Sequence, residues 1–206
     1  MTCVAIIPAR GGSRRIPGKN IKVFHGKPII AYSIEVAKES GLFDFIYVST
    51  DSQEIANVAR DHEVNVIQRT PAMAQNSVGT LEVMRSEMKS LTNGWKADCE
   101  YACCIYATAP LMDVADLKRG YNYLTNMSAE HAISVGYPPL QDAAQFYWST
   151  VDALQRGIEY FDTSTVLIPI KTERVCDINT PHDWDRAEKM YKTLRLDIPV
   201  FLKEKK

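Results

Sequence analysis

The chain has 206 residues, 46% hydrophobic and 24% charged, enough for one domain whose core needs no disulfide or metal staple, and too apolar for wholesale disorder. Its 24 Lys+Arg against 25 Asp+Glu leave a net charge of −1, which excludes a general electrostatic grip on DNA or an anionic membrane. No apolar run approaches the roughly 20 residues of a bilayer crossing, and the opening stretch lacks the basic start and the length of a signal peptide.

In chain order, short apolar runs alternate with helical periodicity. Residues 3–8 read as a buried strand, and Ile30, Ile34 and Ala37 share a face of the helix that follows. Residues 45–49 form a second strand. Asp51-Ser52-Gln53-Glu54 then supplies a cap and a following acid, opening a helix to about residue 60. A third strand at 64–68 precedes a helix over about 80–91. A fourth at 102–106 precedes a helix that Asp113 caps and that runs to about 124. Strand candidates follow at 132–135, 145–148 and 166–170. Thr180-Pro181-His182-Asp183 launches a terminal helix through about 194, with a capping Thr, Pro at the first position and an acid at the third. This order predicts an α/β fold with a largely parallel sheet, helices on both faces and ligands beyond the carboxyl ends of the strands.

Five cysteines, Cys3, Cys99, Cys103, Cys104 and Cys176, make an odd number without zinc-type spacing. Reduced, buried thiols in a cytoplasmic protein are the economical expectation, with Cys103 and Cys104 on opposite faces of one strand. The four histidines, His25, His62, His131 and His182, have no spacing that suggests a metal site or a triad.

Four cations, Arg10, Arg14, Arg15 and Lys19, lie within ten residues of the loop after the first strand, beside the pair Gly11-Gly12. Guanidinium forks and glycine backbone amides suit phosphate oxygens. The spacing matches neither the P-loop nor Gly-x-Gly-x-x-Gly, which disfavours a kinase-type NTPase and a standard dinucleotide-binding dehydrogenase. On charge alone, a solvated basic turn is an equal reading.

The stretch Ile6-Ile7-Pro8-Ala9-Arg10-Gly11-Gly12-Ser13-Arg14-Arg15-Ile16-Pro17-Gly18-Lys19-Asn20 closely resembles the opening of the cytidylyltransferases that activate nonulosonic (sialic-type) acids. Val48-Ser49-Thr50-Asp51 resembles a second block of that family, and Asp177-Ile178-Asn179-Thr180 its metal-binding block. Cys103-Cys104-Ile105-Tyr106-Ala107-Thr108-Ala109-Pro110 and Gln145-Phe146-Tyr147-Trp148 are most similar to the pseudaminic acid branch. The resemblance runs from residue 3 to about 191. It implies a three-layer α/β/α nucleotide-binding sandwich, of the Rossmann-like nucleotide-diphospho-sugar transferase type, formed by residues 1–206 as a single domain. It also implies Mg²⁺-dependent transfer of CMP from CTP to the anomeric hydroxyl of a nine-carbon acidic sugar, with release of pyrophosphate, in a homodimer. CMP-sialic, CMP-legionaminic or CMP-Kdo synthesis stand as alternatives with the same nucleotide site. A non-catalytic CTP- or CMP-binding protein is the alternative of another class.

Residue by residue, the resemblance places Arg10, Arg14 and Lys19 on the phosphates, Lys19 near the α-phosphate or departing pyrophosphate. Ala9, Gly11, Gly12 and Ser13 line the triphosphate, and Asn20 reads the nucleotide. Arg15 is open between the cleft and solvent. Arg69 and Thr80 hold the cytosine and ribose. Asn76 stands where the family often has an acid. Asp177 and Asn179, on the same side of an extended segment, are the expected Mg²⁺ ligands; the family usually has Asp at both, and the neutral Asn179 makes the second ligand weaker. Tyr106, Gln145 and Tyr147 are expected at the sugar, with packing as their alternative role. The family's projecting dimerisation arm, which also supplies basic residues to the sugar carboxylate, falls near 136–144. Here that stretch is too short for it, so the arm is shortened or missing.

Overall fold

Val4, Ala5, Ile6 and Ile7 are all fully buried, as a parallel strand covered on both faces requires. They belong to β1 (Thr2–Pro8) in a computed structural model that describes residues 2–93 and 98–196. After β1 come the hairpin strands β2 (Val23–Phe24) and β3 (Lys27–Pro28), helix α1 (Ile29–Ser40), β4 (Phe45–Thr50), α2 (Gln53–Asp61) and β5 (Asn65–Gln68). The chain continues through α3 (Thr80–Thr92), β6 (Cys99–Ile105), α4 (Val114–Asn126), β7 (His131–Tyr137) and β8 (Gln141–Thr150). It ends with α5 (Val151–Arg156), β9 (Thr165–Lys171) and α6 (Pro181–Leu196).

Seven strands form one sheet in the order β5-β4-β1-β6-β8-β7-β9. All neighbours are parallel except β8, which runs antiparallel to both β6 and β7. On one face Cys3, Ala5 and Ile7 pack with Ile30 and Ile34 of α1, Ile55 of α2 and Leu117 of α4. On the other, Val4 and Ile6 pack with Met84 and Met88 of α3 and Leu154 of α5. These are the three layers expected of the sequence. Helix α6 instead closes a third cluster, in which Trp184 and Ala187 meet Phe24 and Tyr32.

Each expected strand and helix is present, most with slightly longer bounds. The small β2–β3 hairpin and the six-residue α5 carried no sequence signal, being too short for a periodicity. Residues 132–135 and 145–148 prove to be parts of one hairpin, in which Gly136 faces Gln141 across the turn 138–140. No projecting arm stands between β7 and β8 among the described residues. All five cysteines are buried, and Cys103 and Cys104 do fall on opposite faces of the sheet. Among the described residues no helix is long and apolar enough to cross a membrane.

Candidate active site

Beyond the carboxyl ends of β1, β5 and β6, a cleft of about 500 Å³ is lined by the basic loop, Arg69, Thr80, Tyr106 and Asn179. Its volume falls in the usual range of small-molecule sites, and its place is the one that open parallel sheets reserve for ligands.

The loop is anchored from below. Ala9 is fully buried and its N–H donates to Ser49 O at 2.8 Å. Gly11 N–H donates to Asp51 Oδ1 at 2.8 Å, so that amide is spent on the scaffold. A Cβ on Gly11 would lie 2.9 Å from Ser52 Cβ, so the loop can press on the start of α2 only with glycine there. Gly12 has open space around it, and Ser13 N–H turns back to Gly11 O at 3.0 Å. Asn20 is buried and its Nδ2 donates to Arg10 O at 2.9 Å. It therefore holds the loop's backbone as well as lining the cleft.

Arg10, half-buried, donates through Nη1 to Asn76 Oδ1. Arg14 is exposed and Arg15 exposed, yet both line the cleft; Arg15 Nη2 donates to Asn179 Oδ1 at 3.3 Å. Lys19 Nζ donates to Ile178 O at 2.7 Å. Burial pulls its pKa below the ordinary lysine value, against the opposing pull of Asp177 and with help from Arg15 and Arg10. The charge here is crowded and partly dehydrated, which strengthens its field on an incoming anion.

Arg69 is only 6% exposed. Its Nε donates to Ser49 Oγ at 3.1 Å and its Nη2 to Ser49 O at 3.0 Å. Ser49 Oγ in turn donates to Glu87 Oε1 at 2.6 Å. Burial lowers the Arg69 pKa and the nearby Glu87 and Asp51 charges oppose the shift. The guanidinium is thus fixed through Nε and Nη2 while the residue lines the cleft. Ser49, Asp51 and Glu87 escaped assignment from sequence. Glu87 did leave a trace, as a charge inside the apolar stripe Val83, Met84, Met88, Leu91 of α3.

Thr80, at the start of α3, is within 3.3 Å of the Tyr106 hydroxyl, and both residues line the cleft. Tyr147 and Gln145 do not reach it. Tyr147, 3% exposed, lies behind Tyr106 with their hydroxyls 3.3 Å apart. Gln145, 2% exposed, donates through Nε2 to Arg174 O at 2.6 Å. The expected sugar wall therefore has Tyr106 at its surface, with the other two residues in the layer beneath.

Asp177 is exposed and contacts Asn179 Nδ2 through its Oδ2, so the two side chains do share a side. Asn179 lines the cleft. Among the described residues no group of three or more His, Cys, Asp or Glu gathers as a metal cluster. Asn179 turns its Nδ2 to Asp177 and its Oδ1 to Arg15. The Asp177 carboxylate is therefore the oxygen donor that fits Mg²⁺, which takes few protein oxygens and completes its shell with phosphate and water. The amide oxygen joins it only once released from Arg15. The segment is held by Asp183, whose Oδ2 accepts from the N–H of Asn179 at 3.1 Å and of Thr180 at 2.8 Å.

The sequence model of a family described as cytidylyltransferase matches residues 4–206. The chain is 32% identical to the pseudaminic acid cytidylyltransferase of Campylobacter jejuni subsp. jejuni serotype O:23/36 (strain 81-176), an alignment covering 93% of this chain and 97% of that relative. It is 34% identical to N-acylneuraminate cytidylyltransferase A of Danio rerio over 64% of this chain and 29% of that protein. Among solved structures, CMP:2-keto-3-deoxy-manno-octonic acid synthetase complexed with CTP matches with a TM-score of 0.72 and 13% identity, covering 94% of this chain and 100% of the other, a likeness of fold.

Proposed function

The chain belongs to the cytidylyltransferase family, and on that premise we propose that it transfers CMP from CTP to the anomeric hydroxyl of a nonulosonic acid, pseudaminic acid in the first place. The observation that carries the reading is the convergence of Arg10, Arg14, Lys19 and Arg69 on one cleft at the carboxyl edge of the sheet. A triphosphate in this cleft meets cations along its length and a buried, oriented guanidinium at its far end.

The chemistry asks for charge and alignment more than for a protein nucleophile. The sugar hydroxyl attacks the α-phosphorus and pyrophosphate leaves in line. Arg10, Arg14 and Lys19 neutralise charge on the phosphates as the leaving group departs, and the loop's anchorage through Ala9, Gly11 and Asn20 keeps them from reorganising during the step. Arg69 and Thr80 read the nucleoside, and Tyr106 walls the sugar side with Tyr147 and Gln145 in support. Asp177, with Asn179 as the weaker partner, would hold Mg²⁺, which supplies further neutralisation of phosphate charge when bound.

We further propose one catalytic domain spanning residues 1–206, a cytoplasmic location consistent with cysteines that are buried in the core, and a homodimer. The exposed Tyr137 and Leu140 at the β7–β8 turn, 62% exposed each, are the apolar surface in support of a pairing contact, which light scattering of the purified protein tests.

The deciding experiment supplies CTP and Mg²⁺ with purified pseudaminic, legionaminic and N-acetylneuraminic acids in turn, and reads pyrophosphate release and product mass. A CMP-sugar from pseudaminic acid is expected, with CTP far ahead of ATP and GTP as donor. CTP binding with no nucleotide sugar from any acid would overturn the catalytic reading.

A further inference from the structure

From Thr80 and Tyr106 at the cleft wall a row of hydrogen bonds runs back into the protein, and the proposed reaction leaves its direction open. Thr80 Oγ1 is 3.3 Å from Tyr106 OH. Tyr106 OH donates to Tyr147 OH at 3.3 Å, and Tyr147 OH donates to Asp142 Oδ2 in a short contact. Tyr147 is buried, whereas Asp142 is exposed. The row therefore runs from the cleft to an exposed carboxylate near the start of β8.

A deformation of β8 makes this row possible. Residues five apart on a regular strand point to opposite faces and lie roughly 17 Å apart. Here the register with β7 shifts between Ile133 and Val135. Asp142 Oδ1 accepts from Ala144 N–H at 2.8 Å, and Ala144 sits at a φ of 48°, in the left-handed region. A left-handed alanine costs free energy, and such strain collects where the geometry it allows is used. What it allows here is the return of Asp142 over Tyr147.

The direction of the row follows from counting hydrogens. An ionised carboxylate has none to give, and each hydroxyl has one. Tyr147 gives its hydrogen to Asp142, so toward Tyr106 it only accepts. Tyr106 gives its hydrogen to Tyr147, so toward Thr80 it only accepts. Thr80 gives its hydrogen to Tyr106, and keeps only lone pairs for the cleft. Burial pushes the pKa of both phenols up, Tyr106 to about 12, so each retains its single hydrogen across the neutral range. Asp142 is the member of the row with no hydrogen to give, so the ordering starts there and passes inward.

We propose that Asp142 and Tyr147 are positioning residues that fix Thr80 as a hydrogen-bond acceptor at the cleft wall, and that the cleft thereby selects a nucleotide presenting a donor there. The inference rests on the CTP reading and adds the sign of one contact. A nucleoside offers that donor from the exocyclic amine of cytosine or from a ribose hydroxyl. UTP replaces the amine with a carbonyl, and 2′-deoxy-CTP removes the 2′ hydroxyl, so the two analogues separate the sources.

The test is calorimetric binding of CTP, UTP and 2′-deoxy-CTP to the unaltered protein and to Tyr147→Phe, Asp142→Ala and Asp142→Asn, each checked by a thermal melt. The unaltered protein should prefer CTP over one of the analogues by about tenfold or more, because the wrong partner leaves a polar group unpaired. Tyr147→Phe frees Tyr106 to donate toward Thr80, and Thr80 to donate into the cleft, so that preference should shrink several-fold. Asp142→Ala, at an exposed position and with the melt reporting any loosening of the bend at Ala144, should do the same. Asp142→Asn keeps an acceptor oxygen for Tyr147 and should retain the preference. Unchanged ratios in both Tyr147→Phe and Asp142→Ala would overturn the proposal, as would an unaltered protein that binds all three nucleotides alike. A protein that binds no CTP would instead bring down the proposed function, and this inference with it.

Discussion

Arg10 contacts Asn76 and lines the cleft, so under the proposed reaction its loss removes charge that acts most strongly as pyrophosphate departs. Arg10→Ala should lower kcat/KM on the order of a hundredfold, at least as much as it weakens CTP binding, and lysine there should rescue only in part because it lacks the two-pronged geometry. An arginine with no work in the cleft would leave steady-state kinetics untouched. Lys19 makes the complementary case. Its pKa is lowered chiefly by burial, so in the empty cleft the charged form is disfavoured; the cost is present at neutral pH and fades only as pH rises toward the ordinary lysine range. Lys19→Met should therefore melt no lower than the unaltered protein at pH 7 while losing turnover, and a clear drop in melting temperature would contradict the assignment. The four loop cations, Arg10, Arg14, Arg15 and Lys19, were legible in the sequence because they lie within ten residues of one another. The partners that orient Arg69 were not, because Ser49 and Glu87 come to it from a different strand and a helix, and only the fold makes them neighbours.

Among the elements, α4 lies so close to β8 that a Cβ on Gly120 would fall 2.8 Å from both Phe146 Cε2 and Trp148 Cδ1, rings that are fully buried. Neither ring has room to yield, so Gly120→Ala should cost about 1–3 kcal/mol despite alanine's better helix propensity, read as a shift of the urea midpoint. Helix α6 starts with a reciprocal cap: Asp183 N–H donates to Thr180 Oγ1 at 3.3 Å while Asp183 Oδ2 accepts from Thr180 N–H at 2.8 Å. The Thr180 hydrogen bonds hold the Asp183 pKa below the usual carboxylate value. A lowered carboxylate contributes stability that is present above its unfolded pKa and lost as pH falls through the folded one, so this contribution should fade below about pH 4. Asp183→Ala should cost about 1 kcal/mol, and because the same carboxylate holds Asn179 it should also raise the Mg²⁺ concentration needed for half-maximal turnover. Unchanged metal dependence would separate the cap from the metal segment. This cap could be read from Thr180-Pro181-His182-Asp183 alone, since every group in it is local. Helix α5 could not, because six residues are too few to show a helical stripe.

At the scale of the molecule, the alternation of strands and helices announced a parallel α/β sheet, but not the seam where β8 enters antiparallel between β6 and β7. The sequence held a hint: the apolar runs 132–135 and 145–148 after α4 are separated by nine residues that include Pro138 and Pro139, with no helical pattern between them. Parallel neighbours need a long crossover, and a few residues can join only an antiparallel pair. Which neighbour β8 takes on its other side is decided by packing of the whole sheet, which no local pattern encodes. The turn at 138–140 joins two strands already paired to its base, Gly136 to Gln141, and its tip carries none of the lining of the cleft. Loop-closure entropy grows only with the logarithm of length, so lengthening it about fourfold costs about 1.2 kcal/mol. Chain length at this tip is thus a nearly free variable for the fold. A Gly/Ser segment placed between Pro139 and Leu140 should leave melting within a few degrees and turnover within about twofold. A collapse in either would show that the shortness of the turn itself keeps β8 in register. If the tip is as tolerant as that arithmetic says, lineages could gain or shed a protruding lobe there without renegotiating the catalytic half of the sheet.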